Sequence, residues 1–137
     1  MWQLTSYADL GWPADTVAVV AVNRQEVLCK RADASWVVAT QGSHIFVPFA
    51  MPFPGTGTDP HRVIKWKNDD YLILMESKGL YRLKNSQQET LVTSEAILKM
   101  IPKNGSFYAT DITVDRHQRV WMNGKPFRML MLDLSDR

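Results

Sequence analysis

The apolar residues of this chain come in short bursts, the longest being the six residues Val17-Ala18-Val19-Val20-Ala21-Val22. A helix that crosses a bilayer takes about 20, and β-branched side chains favour extended backbone over helix. Apolar at every position, the run predicts a strand covered on both faces. Asn23-Arg24-Gln25-Glu26 then reads as a turn and Val27 to Arg31 as a returning strand. Ala32-Asp33-Ala34-Ser35 reads as a second turn, and Trp36 to Thr40 and His44 to Val47 as two more strands. Strands joined by connections this tight pair antiparallel with their neighbours, which makes a meander.

The stretch 48–62 breaks the rhythm. Pro48, Pro52, Pro54 and Pro60 fall in it with Gly55 and Gly57. Proline removes ladder donors and glycine adds backbone freedom, so the stretch is expected to be an irregular loop. A second meander follows, with strands at Val63–Lys67, Tyr71–Glu76, Leu80–Lys84 and Glu89–Thr93. The segment 94–101 fits either a short helix begun at Ser94 or a strand, being too short for periodicity to arbitrate. Pro102-Lys103-Asn104-Gly105 is a turn, and strands are expected at Ile112–Asp115, Arg119–Met122 and Phe127–Leu134.

These three units, roughly 17–49, 63–93 and 97–134, can be laid over one another. The run from Val27 through Val38 matches the run from Val63 through Leu74, an offset of 36 from position 27 to 63. The second matches Ile112 to Met122, an offset of 48 from position 64 to 112. In each unit an apolar strand leads through a polar turn into a strand carrying an aromatic or large aliphatic pair. Gly42, Gly79 and Gly124 then follow a few residues on.

Ile112-Thr113-Val114-Asp115-Arg116-His117-Gln118-Arg119-Val120-Trp121-Met122 resembles the blade signature of bacterial β-propellers of the two-component-regulator type. There an Ile-x-x-Asp strand and a polar turn precede a Val/Leu-Trp strand. Tyr71-Leu72-Ile73-Leu74 followed by Lys78-Gly79-Leu80-Tyr81-Arg82-Leu83 is similar to that pattern's next step, a Gly-Leu-Tyr/Phe-Arg-Leu strand. The family pattern has glycine in the polar turn, where this chain has Asp70 and Gln118. The resemblance implies four-stranded blades, of which a propeller takes roughly four to eight, and this chain has room for three. The expected fold is therefore all-β, with three antiparallel meander units in one domain over 1–137. They would form an incomplete propeller, one completed by oligomerisation, or a distorted barrel or sandwich. Unpaired sheet edges invite aggregation, so a homo-oligomer or a partner protein is expected to cover one.

Charge and cysteine content narrow the setting. Sixteen basic and fourteen acidic residues leave a net charge of +2, and the signs alternate, so no basic stripe for nucleic acid is built. Cys29 is the single cysteine, which forbids an intramolecular disulfide and fits a reducing compartment. Residues 1–7 lack the charged start and apolar run of a signal peptide. A cytoplasmic protein without membrane contact is expected.

Each chemical motif has a plainer reading. His44, His61 and His117 are not at metal-ligand spacing, and no His-Glu-x-x-His or paired cysteines occur. Asp111 and Asp115 lie on one face of a strand and form an acid–base set with Glu76 on paper, yet Asp115 sits where strand-end turns place an aspartate. Gly42-Ser43-His44 lacks the nucleophile-elbow pattern. Cys29 is mid-strand among apolar residues. Gly55-Thr56-Gly57-Thr58 lacks the ending of a phosphate loop. No catalytic, cofactor or metal site is expected.

What remains is Pro48-Phe49-Ala50-Met51-Pro52-Phe53-Pro54-Gly55, whose aromatic and methionine side chains no strand pattern buries. They either plug the end of the β structure or form a partner-binding loop. Trp66, between Lys65 and Lys67, is a further candidate contact, and five tryptophans (2, 12, 36, 66, 121) admit an aromatic platform for sugars. The expected contact set is Phe49, Met51, Phe53 and Trp66. The expected function is non-enzymatic protein binding, of the kind served by a small bacterial or phage inhibitor, immunity protein or adaptor. The alternative is a lectin-like carbohydrate binder formed by oligomerised blades.

Overall fold

The computed structural model describes residues 4–7, 9–54, 59–75, 77–100, 108–125 and 128–134. The chain divides into two compact units, Met1–Gly57 and Thr58–Arg137. The expected turn at 102–105 and the start of the last expected strand at Phe127 lie outside the described residues.

The first unit is one antiparallel sheet in the order β1-β2-β3-β4, formed by Thr16–Ala21, Glu26–Arg31, Trp36–Thr40 and Phe46–Phe49. Pairing sets Val19 against Cys29, Cys29 against Val37, and Val27 against Ala39. That face holds the unit's core of Cys29, Val37 and Ala39, with Trp12, Val27 and Phe46 packed on it. The last strand runs later than the sequence suggests, through Pro48 and Phe49. Proline is tolerated because β4 is an edge strand, where a missing N–H can face away from the ladder.

The second unit contains two sheets. Strands β5 (Pro60–Lys65), β6 (Tyr71–Met75), β7 (Gly79–Lys84) and β8 (Gln87–Thr93) pair in chain order. Helix α1 (Ser94–Lys99) follows, resolving the ambiguity at 94–101. Its cap is Thr93, whose hydroxyl accepts the Ala96 N–H at 3.1 Å. Strands β9 (Tyr108–Val114), β10 (Val120–Lys125) and β11 (Arg128–Leu132) form a three-stranded sheet in the order β11-β10-β9. One face of it, bearing Ile112, Val120 and Met122, packs on Trp66, Leu72, Leu74, Leu80 and Ile97. The opposite face of β5–β8, with Val63, Ile73, Met75, Tyr81 and Leu83, is buried as well. All three sheets are antiparallel meanders, as the repeat predicts, and none closes into a barrel among the described residues.

Turn geometry sets the true equivalence of the repeats, and it differs from the match of letters. Arg31, Trp66 and Asp115 each donate their backbone N–H to the carbonyl four residues on, Ser35, Asp70 and Arg119, at 2.8, 2.8 and 3.0 Å. Successive turns are therefore 35 positions apart (31 to 66) and 49 apart (66 to 115), not 36 and 48. Strand registers agree, with Leu28 opposite Val38, Val63 opposite Ile73 and Ile112 opposite Met122. A slip of one residue turns every side chain to the other face. Under the corrected match Leu28, Val63 and Ile112 are counterparts, and all three are buried. Trp36 has Val120 as its counterpart in the third unit, so Trp121 lies one position away and on the opposite face.

The fourth position of each turn is left-handed: Ala34, Asp69 and Gln118 have φ of 70°, 60° and 63°. That is the conformation glycine adopts without a Cβ penalty. None of the three is glycine.

Candidate binding cleft

A cleft of about 660 Å³ opens in the second unit. The starts of β5, β7 and β9, the ends of β6 and β10, and helix α1 line it. Leu74, Met75 and Ile97 are lining residues and are buried. Helix α1 is held over the strand ends at its start, where the Ser94 N–H donates to the Lys78 carbonyl at 3.0 Å. Gly79 allows the close approach on which this depends. Its φ is +134°, and a Cβ there would run into the backbone of Val92 and Thr93 where β8 passes into the helix.

Ile97 faces inward from α1, while Leu98 and Tyr108, which also line the cleft, are 50% and 70% exposed. Met100, just past the helix, is exposed too. The apolar lining thus continues onto an apolar rim. Ser77, Ser94 and Thr110 supply hydroxyls, and His61 and Lys125 are the basic lining residues. Among the described residues no carboxylate lines it.

The side chains singled out in the sequence lie elsewhere. Phe49 is buried at the end of β4, opposite Trp36, and Met51 is buried two residues on. Phe53 is half-buried with φ of 56°. Trp66 is buried in the core of the second unit, its indole N–H donating to the Gln118 carbonyl at 3.3 Å. The four do not form one exposed patch, and three of them show almost no surface.

The acidic and histidine candidates are likewise spread out. His44 precedes β4, His61 lies in β5 and His117 in the β9–β10 turn. Among the described residues no group of three His, Cys, Asp or Glu side chains is placed to hold a metal ion. Asp115 is committed to its turn. Its carboxylate accepts the backbone N–H of His117 at 2.8 Å and of Arg119 at 3.1 Å. It also accepts the Trp121 indole N–H at 2.9 Å and the Arg119 guanidinium at 2.7 Å. These donors, the indole first, hold its carboxyl far below the ordinary aspartate range. Asp111 lies 3.5 Å from the Arg62 guanidinium, while Glu76 and Gly55–Thr58 lie outside the described residues. Burial pushes the Cys29 thiol up, which keeps it protonated and unreactive.

A buried charge centre lies behind Trp66. Arg82 donates to the Asp70 carboxylate at 2.7 and 2.8 Å, both side chains being almost wholly buried. The guanidinium stands 5.0 Å from the centre of the Trp66 ring. Asp70 punctuates a turn and Arg82 sits mid-strand, twelve positions apart, so nothing in their spacing announces the pair. The cleft was equally invisible in the sequence, because strand ends and one short helix build it. Only Leu98, apolar and half-exposed on that helix, hints at it.

No protein family, no curated protein and no solved structure matches this chain.

Proposed function

We propose that the protein is a non-enzymatic binding module whose second unit receives an apolar side chain of a partner protein in the cleft beside α1. The apolar rim carries this reading. A pocket for a small ligand buries most of that ligand's surface, whereas here Leu98 and Tyr108 extend the apolar lining outward, as the centre of a protein interface does. Basic His61 and Lys125 beside an apolar floor favour a segment that presents a carboxylate next to its apolar side chain. An apolar lining with few fixed polar groups disfavours sugar, so the protein partner is preferred to the lectin-like alternative.

The test compares what wild-type protein and two variants, Leu98→Glu and Tyr108→Glu, retain from an extract of the native host. Both substitutions fall on exposed side chains, so circular dichroism and melting temperature should stay the same. A partner retained by wild type and lost by both variants is the expected result. Equal retention by all three would refute the cleft as the binding surface.

A further inference from the structure

Among the described residues the sheet of β9, β10 and β11 has three strands where its counterpart has four. With an offset of 49, β5-β6-β7 and β9-β10-β11 correspond in register throughout: Tyr71 pairs with Leu83 as Val120 does with Leu132, and Met75 with Gly79 as Gly124 does with Arg128. Strand β7 is covered on its outer side by β8, but no described strand pairs with the outer side of β11. Glycine stands at 79, where β8 crosses closely, and arginine at the equivalent position 128.

Every other edge strand carries a device that discourages pairing. The register shifts at Val17 in β1, at His61 in β5, at Leu91 in β8 and at Thr110 in β9. Pro48 interrupts β4, and Pro60 opens β5. Exposed Gln87, Gln88 and Glu89 line β8. Strand β11 pairs with β10 over five consecutive positions without a shift, and Met129 to Leu132 includes neither proline nor charge. Met129 and Met131, on the face turned away from the core, are 59% and 45% exposed.

We propose that β11 pairs antiparallel with β11 of a second copy of this chain, on a two-fold axis at Leu130. A two-fold contact requires a surface complementary to itself, and Met129-Leu130-Met131 reads the same in both directions. Met129 then faces the second copy's Met131 across the ladder, at both ends of the contact. The result is a continuous six-stranded sheet with an adaptable methionine cluster on its outer face.

The test is the solution mass of the full chain against concentration, with a charge swap. Wild type should double in mass as concentration rises and grow no further. Met129→Lys/Met131→Lys and Met129→Glu/Met131→Glu each set like charges opposite one another, so each should stay monomeric, and their equimolar mixture should restore the doubled mass. Wild type monomeric at every concentration, growth beyond two copies, a lysine variant that still dimerises, or a mixture that stays monomeric would each overturn the proposal. Amide exchange of wild type gives a check free of mutation: amides in 129–132 should slow as concentration rises, and unchanged rates there count against it.

Discussion

Strands β7 and β11 occupy the same place in matching meanders and live in different surroundings. Each is the third strand of its sheet and pairs with the second in the same register. Between β6 and β8, β7 is buried along nearly its whole length, and Arg82 at its middle is neutralised by Asp70. Its counterpart on β11 is Met131, exposed and uncharged. One added strand thus changes what the third can carry. A covered strand can hold a paired charge in a dry setting, while an uncovered one keeps a flexible apolar side chain in water.

The sharpest way to break this contrast is to exchange the residue types. Arg82→Met leaves the Asp70 carboxylate buried without its partner and should cost about 3–5 kcal/mol in denaturant unfolding. The counterpart change, Met131→Arg, falls on a solvated face and should stay within about 0.5 kcal/mol of wild type. Similar losses at both positions would show that the two strands are equally enclosed.

A smaller effect is expected at the start of β7. Gly79→Ala forces a Cβ against the backbone of Val92 and Thr93 in a positive-φ conformation, and should destabilise by about 1–3 kcal/mol. Thermal unfolding measures the loss, and a Gly79→Ala protein as stable as wild type would show that the two backbones do not approach closely there.

The turns sharpen the comparison in the other direction. Gln118→Gly relieves a left-handed residue and should raise stability by about 1 kcal/mol. Ala34→Gly should do the same, and Asp69→Gly less, because aspartate tolerates that conformation better. A loss in chemical denaturation at 34 or 118 would mean that the side chain contributes more than its strain costs.

The smallest expected effect concerns Asp115. Its carboxyl titrates lower in the folded than in the unfolded chain, so its contribution is full above the unfolded value of about 4. That contribution fades as pH falls toward the lower folded value. Asp115→Asn should therefore lower the melting temperature at neutral pH, and the gap from wild type should narrow progressively below pH of about 4. A gap independent of pH would assign the effect to shape rather than charge.

Most strands were legible because their signals are local. Val17–Val22, Tyr71–Leu74 and Val120–Met122 are β-branched or aliphatic runs bounded by turn residues, and propensity and punctuation agree there. Strand ends were less legible. Pro48 reads as a breaker until its strand proves to lie at an edge, and Tyr108–Asp111 extends β9 beyond its apolar part. The repeat was visible but one residue out of register at each step, since letters were matched where the turn's closing bond decides. Of the candidate contacts, Phe49 and Met51 looked unburied because no strand pattern reaches them, and Trp66 was singled out because it stands between two lysines; packing encloses all three.

The sequence by itself determined that the chain forms antiparallel meanders, where their turns fall and that they repeat, because neighbouring residues settle backbone preference. Tertiary structure alone decided which face of each strand is covered, that Asp70 meets Arg82, that a cleft opens beside α1 and that no described strand pairs with the outer side of β11. Each of these depends on segments far apart in the chain meeting at a particular register, and a one-residue shift of that register, which scarcely changes the local pattern, exchanges the buried face for the exposed one.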